Sequence, residues 1–264
     1  MGAKPIVHRL TARNTATASP NRIHDADTAR DYGFAGGLVP GVTVFAWMCE
    51  PALDAYGAEW LGNGTIEARF ARPVYDGDEV SVEGAPDGDG LALAVRTGDE
   101  PCATGRATAQ TLPALDVASF LRVPIPAAPP PASPSTLESG TALGTVEVVF
   151  EARRAREYLA AIGADHESVA RAGVAHPGWL LLLANLALSA NVTLGPWIHV
   201  SSDVRLHDMA SDGEPVSALA RVAGAFERKG HRFVELDVVM VASEARPIAS
   251  VRHVAIYEPR RPER

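Results

Sequence analysis

The stretch SPNRIHDADTARDYGFAGGLVPG, residues 19–41, gathers groups able to move a proton: the Ser19 hydroxyl, the Asn21 amide, the His24 imidazole and the carboxylates of Asp25 and Asp27. Imidazole titrates closer to neutral pH than any other side chain, so His24 can take and return a proton under ordinary conditions. The alternative reading makes His24 a polar residue at the entrance to a short helix over 25–32, stopped by Gly33. Asp25 is placed to cap that helix rather than to pair with His24, because adjacent side chains point apart. Asp27 is either an ordinary first-turn helix charge or a carboxylate turned toward a pocket as a base. Asn21 either orients His24 or a water molecule, or serves as a turn residue. A second histidine, His176, precedes Pro177 in AHPGW (175–179), where it either touches substrate or packs at a domain joint.

These groups need elements to hold them, and the chain supplies a similar set twice. Residues 113–144, PALDVASFLRVPIPAAPPPASPSTLESGTALG, carry too much proline for helix or sheet interior and read as an extended linker. They divide the chain into an N-terminal unit, 1–112, and a C-terminal unit, 145–264. In each unit a Gly- and Pro-containing stretch opens an apolar helix: VTVFAWMCEPALDAYG follows GLVPG (37–41), and WLLLLANLALSANVTLG follows GVAHPG (173–178). Pro51 is expected to bend the first helix or end it. A shorter helix over 166–172, capped by Asp165 and stopped by Gly173, precedes the second.

Strand-like runs follow each apolar helix, at 65–72, 79–84 and 91–97, then at 198–206, 216–226, 233–242 and 248–257. DGDEV (76–80) and SDGEPV (211–216) form matching turns, with 36 residues from Gly41 to Gly77 and 35 from Gly178 to Gly213. A helix that is apolar nearly all round must be enclosed, and one antiparallel sheet can wrap it. Side-by-side pairing of two such units closes the sheet edge that each leaves open. The fold class is therefore α+β, two antiparallel sheets each wrapped round a central apolar helix.

Composition narrows the function. A formal net charge of -8 argues against a broad nucleic-acid surface, and the one basic cluster, Arg260, Arg261 and Arg264, reads as a frayed solvated tail. Cys49 and Cys102 lack metal-ligand spacing and read as buried fillers suited to a reducing cytoplasm. The N-terminal MGAKPIVHRLTARN holds no apolar leader, and the most apolar run, 179–194, contains Asn185 and Asn191 and is too short to span a bilayer. His199, His207, His231 and His253 lie in or beside strands without ligand spacing, so no metal and no cofactor is expected. ERKGH (227–231) reads as a solvated hairpin tip.

Three segments resemble the MaoC-like acyl dehydratases, or (R)-specific enoyl-CoA hydratases, in their tandem, double hot-dog form. NRIHDADTARDYGFAGGLVPG (21–41) is similar to that family's hydratase segment, D-x-N-P-[ILV]-H followed by a helix and a helix-start glycine. RFARPVYDGDEVSV (69–82) resembles its strand-turn-strand signature, and AAIGADHESVARAGVAHPGW (160–179) a contracted copy of the hydratase segment. Asn21, Ile23, His24 and Gly41 match the motif, while Ser19 stands in place of Asp and Arg22 in place of Pro. In the second copy Asp165 lies within one position of the family's Asp, and Ala170 replaces His.

The resemblance implies a double hot-dog pseudo-dimer, as monomer or homodimer, acting on a thioester of coenzyme A or an acyl-carrier protein. It gives proton transfer to His24, with Ser19 and Asn21 positioning water and Asp27 available as a substitute base. Gly41 would polarise the thioester carbonyl through its backbone, a role suited to a helix start with unpaired N–H groups. Val39, His176 and Gly178 would line the substrate site. A serine hydroxyl is no base near neutral pH, so the exchange of Asp for Ser19 removes the obvious activator of water. The leading expectation is a hydratase/dehydratase, with a thioesterase and a non-catalytic acyl- or partner-binding protein as alternatives.

Overall fold

The computed structural model describes residues 4–262, so Arg264 lies outside the described residues. Two helices without a polar face organise the molecule. Helix α2 (Gly41–Tyr56) buries every residue from Val42 to Leu53, and α5 (Pro177–Ser189) buries Leu180, Leu181, Leu183, Ala184, Ala187 and Leu188. Pro51 lies inside α2, and the helix runs on to Tyr56 instead of ending there. Its ring is accommodated by Gly84, where a Cβ would come within 2.6 Å of the proline Cβ.

Ten strands among the described residues form one sheet. In the first half they are β1 (Ile6–Thr11), β2 (Gly64–Phe70), β3 (Glu79–Asp87), β4 (Gly90–Thr97) and β5 (Glu100–Ala109). In the second they are β6 (Ala142–Val149), β7 (Ile198–Leu206), β8 (Pro215–Arg228), β9 (His231–Val241) and β10 (Pro247–Glu258). The spatial order is β1-β3-β4-β5-β2-β7-β10-β9-β8-β6. It reads the same from either end if each first-half strand is exchanged for its second-half counterpart. The halves meet edge to edge where β2 pairs antiparallel with β7, Ile66 opposite Val204 and Ala68 opposite Ser202. This pairing closes the edge each half would otherwise expose.

The repetition extends to single hydrogen bonds. Val39 N–H donates to Val74 O, as Ala175 N–H does to Ala210 O; Gly77 N–H donates to Ala12 O, as Gly213 N–H does to Phe150 O. Both turn glycines need positive φ, +83° and +78°. These bonds match Gly41 with Pro177, not Gly178, and make both spacings to the turn glycine 36 residues. Gly178 instead lets α5 approach α2: a Cβ there would lie 2.8 Å from that of Ala46. Helices α3 (Ala152–Ile162) and α4 (Glu167–Ala172) precede α5, and Trp47 Nε1–H donates to Ile162 O at 2.6 Å across the two halves. His166, not Asp165, caps α4, because its Nδ1 accepts the Ser168 amide; Gly173 stops it in the left-handed conformation, as expected.

The Pro-rich stretch packs against the sheet and includes a short helical turn, Val117–Ser119. Leu115, Val117 and Phe120 pack on Leu219, Val239 and Val241, the sheet face turned away from α5, and β6 begins at Ala142, inside the span read as linker. The described part of the basic tail is also fixed. Arg260 N–H donates to His231 Nδ1, and the Arg261 guanidinium stacks over Tyr32 at 5.2 Å. Among the described residues no helix is long and apolar enough to cross a membrane.

Candidate functional site

His24 is fixed by a chain reversal that its neighbours dictate. Asn21 opens a short turn, Arg22–His24, with its Oδ1 accepting the Ile23 amide at 3.3 Å. Asp25 then caps α1 (Ala26–Asp31), as its position suggested, accepting from the Thr28 amide at 3.0 Å and hydroxyl at 2.9 Å. Gly33, at φ +87°, turns the chain back. Gly37 passes so close to the turn that a Cβ would fall 2.1 Å from the His24 carbonyl oxygen. Leu38 N–H then donates to Ile23 O at 3.2 Å, which sets the Leu38 carbonyl oxygen 2.7 Å from His24 Nδ1.

A carbonyl can only accept, so His24 Nδ1 carries the proton and Nε2 is the unprotonated, accepting nitrogen. Asn21 Nδ2 donates to Nε2 over a long 3.4 Å contact. Burial holds the imidazole below its ordinary pKa, against the raising effect of the Leu38 carbonyl. His24 is thus a neutral base near pH 7.

Two cavities meet at this residue. One, of about 760 Å³, is walled by Ile23, Leu38, Phe70, Ile198 and Phe233, with Arg72, Arg228, Lys229 and His231 among its lining residues. The other, of about 740 Å³, extends past Tyr158, Leu182 and Val192. Asn21, His24, Pro40, Asn185 and Trp197 line both. No Asp or Glu lines either cavity among the described residues. Gly41, the first residue of α2, lines the 760 Å³ cavity, where the helix presents its unpaired N-terminal amides. The His199 ring from β7 lies against Gly41, so close that a Cβ on the glycine would fall 2.8 Å from Nδ1.

Comparison with known proteins places this arrangement. No protein-family model and no curated protein sequence matches the chain. Solved structures do match. A Chloroflexus aurantiacus protein described as a MaoC domain dehydratase aligns at TM-score 0.64 and 15% identity, covering 98% of this chain and 96% of that one. A Mycobacterium tuberculosis protein described as having a double hot-dog fold aligns at TM-score 0.63 and 14% identity, covering 96% of each chain. The chain has the double hot-dog fold. MaoC-like dehydratases stand among its structural neighbours, and another neighbour is a M. tuberculosis dehydratase domain in complex with C12:1-CoA (TM-score 0.52, 14% identity, covering 97% of this chain and 96% of that one).

Within the double hot dog, the residues singled out from sequence divide into two groups. His24, Asn21, Ser19, Val39 and Gly41 gather around the paired cavities. Ser19 lines the 740 Å³ cavity, and its hydroxyl accepts the Asn21 amide at 3.2 Å. The Asn21 side chain is fully occupied: Nδ2 donates to Trp197 O at 2.9 Å and, more weakly, to His24 Nε2 at 3.4 Å, and Oδ1 accepts Trp197 N–H at 3.1 Å. Asp27 stands away, its side chain 92% exposed and paired with Arg30 at 2.7 Å.

His176 and Gly178 also lie elsewhere. His176 is fully buried and caps α5, its Nδ1 accepting Gly178 N–H at 2.9 Å and its Nε2 facing the Glu50 carboxylate at 3.7 Å. Both belong to the joint between the central helices, His176 facing Glu50 and Gly178 lying against Ala46 of α2. Asp165 lines only a small space between α3 and α4.

The second hot dog supplies groups that local sequence does not mark. His199 Nε2 pairs with Ser202 Oγ at 2.8 Å, and Ser202 Oγ with His253 Nδ1 at 3.0 Å, a buried polar chain running from the cavity wall into the sheet. Burial drives the His253 pKa down to about 3. Burial, and then the neighbouring His253, holds His199 well below its usual value, outweighing a backbone bond at Ser201. Both rings are therefore neutral.

Proposed function

We propose that the protein is a hydratase/dehydratase of acyl thioesters, acting on an α,β-unsaturated or 3-hydroxyacyl group with His24 as its acid–base residue. One observation carries this reading: the Leu38 carbonyl fixes the proton of His24 on Nδ1 and leaves Nε2 unprotonated, a base held only by a long contact from Asn21, at the junction of two largely apolar cavities. In hydration, Nε2 takes a proton from water as the water oxygen bonds to C3. The alkene electron pair moves through C2 to the thioester oxygen, forming an enolate. The unpaired amides at the start of α2 hydrogen-bond that oxygen. Protonated His24 then returns its proton to C2, and dehydration is the reverse.

Arg72, Arg228 and Lys229 suit the phosphates of a coenzyme A or carrier-protein arm, and the neighbour holding C12:1-CoA supports a substrate of this class. The decisive experiment offers saturated, 2-enoyl and 3-hydroxyacyl thioesters to the protein and to His24→Ala. Water addition or loss in the wild type, reduced by about 100-fold or more in the variant, supports the proposal. Thiol release from saturated thioesters would replace it with thioester hydrolysis. A second reading, a non-catalytic acyl-thioester-binding protein, draws on the lack of any carboxylate along either cavity. It requires saturable binding without product.

A further inference from the structure

Asn21, Asn185 and Asn191 each place an amide inside the double hot dog, and two of the three are fully engaged. Asn21 holds both backbone groups of Trp197. Asn191 accepts Gly144 N–H at 2.6 Å and donates to Gly144 O and Ala187 O, each at 2.9 Å. The third, Asn185, is the one amide within the apolar run of α5, and its Oδ1 is buried with no hydrogen-bond partner among the described residues. It lines both cavities together with His24. A shielded, unpaired amide oxygen opposes folding, and a leucine would fit the composition of this helix better. An amide kept idle on the same cavities as the His24 base suits a ligand hydroxyl.

We infer that Asn185 holds the oxygen that joins or leaves C3 of the acyl chain, an inference that rests on the lyase reading above. During hydration one proton of the attacking water passes to His24 Nε2. The other stays on the oxygen, becomes the proton of the product hydroxyl, and is donated to Asn185 Oδ1, which a half-turn of the amide about χ2 brings to the cavity face. The amide itself neither gains nor loses a proton. This assigns to Asn185 the water-orienting task that Asn21, tied to Trp197, cannot perform.

The test compares wild type, Asn185→Leu and Asn185→Asp. Relief of the unpaired amide raises the melting temperature of N185L by about 2–4 °C while kcat falls at least about tenfold with little change in KM. N185D, which keeps an acceptor, retains more turnover than N185L. A lower melting temperature for N185L, or undiminished turnover, would overturn the inference. Binding reads the assignment independently of catalysis. Wild type binds 3-hydroxyoctanoyl-CoA at least about tenfold more tightly than octanoyl-CoA, and N185L loses that preference. Hydroxyl preference without turnover would remove the lyase reading and leave the Asn185 contact standing; equal affinity of wild type for the two thioesters would remove the contact.

Discussion

Asn21 grips Trp197 as one strand grips another, with Nδ2 on the carbonyl oxygen at 2.9 Å and Oδ1 on the amide at 3.1 Å. The two residues are 176 positions apart, so one side chain ties the turn bearing His24 to the approach to β7. Asn21→Ala leaves both backbone groups of Trp197 without partners in a buried site, at a cost of about 2–3 kcal/mol measurable by urea unfolding. The variant also removes the Nδ2 donor to His24 Nε2 and loosens its turn, so under the proposed mechanism turnover falls. Unchanged stability would show that water replaces the amide without loss.

The His24 environment fixes the sign of a pH dependence. Its pKa is lowered from the ordinary 6.5, so the active neutral form persists to pH values at which a free histidine is largely charged. A profile of kcat/KM therefore stays level around neutrality and falls on the acid side, with its inflection below 6.5. An inflection above 6.5 would assign the limb to another group.

Helix starts separate two glycines that look equivalent in sequence. Gly41→Ala drives a Cβ to within 2.8 Å of the His199 ring, and Gly178→Ala to within 2.8 Å of the Ala46 Cβ. Each overpacking costs about 1–3 kcal/mol, read as a lower melting temperature. The functional outcomes differ. Under the proposed mechanism G41A disturbs the end of α2 that would bind the thioester carbonyl and lowers kcat, whereas G178A, which lines neither cavity, leaves KM and kcat close to wild type.

What could be read in advance was local or periodic. The two apolar helices, the turns at Gly77 and Gly213 and the Asp25 cap follow from residue order over a few turns. Strand β5, EPCATGRATA, escaped because its residues are small. Gly105 there nearly touches the Glu67 carbonyl and Met48 of α2, a constraint of packing with no hydrophobic pattern. The one-residue error that put Gly178 opposite Gly41 arose because Pro177 and Gly178 are both acceptable helix starters. Asp27 reads as a substitute base from sequence alone, and only the fold shows its pairing with Arg30 and its exposure. Asn185 and His199 belong to the site solely through the pairing of the halves, which brings α5 and β7 to the turn holding His24. No spacing within either half encodes that meeting.

The buried chain His199–Ser202–His253 gives the fold an acid limit. Both histidines are neutral in the folded protein and titrate near 6.5 when unfolded. Below pH 6.5 the unfolded chain binds more protons than the folded one, so stability falls as pH drops, by up to about 1.4 kcal/mol per pH unit for each ring. For His253 the loss continues until pH approaches its folded value of about 3. The double variant Ser202→Ala, His253→Leu removes one of these rings and the hydroxyl bridging the pair. Its urea-unfolding free energy should decline less steeply than that of the wild type between pH 6 and pH 4. Parallel declines would mean that His253 is already charged in the folded protein and that carboxylates elsewhere set the acid limit.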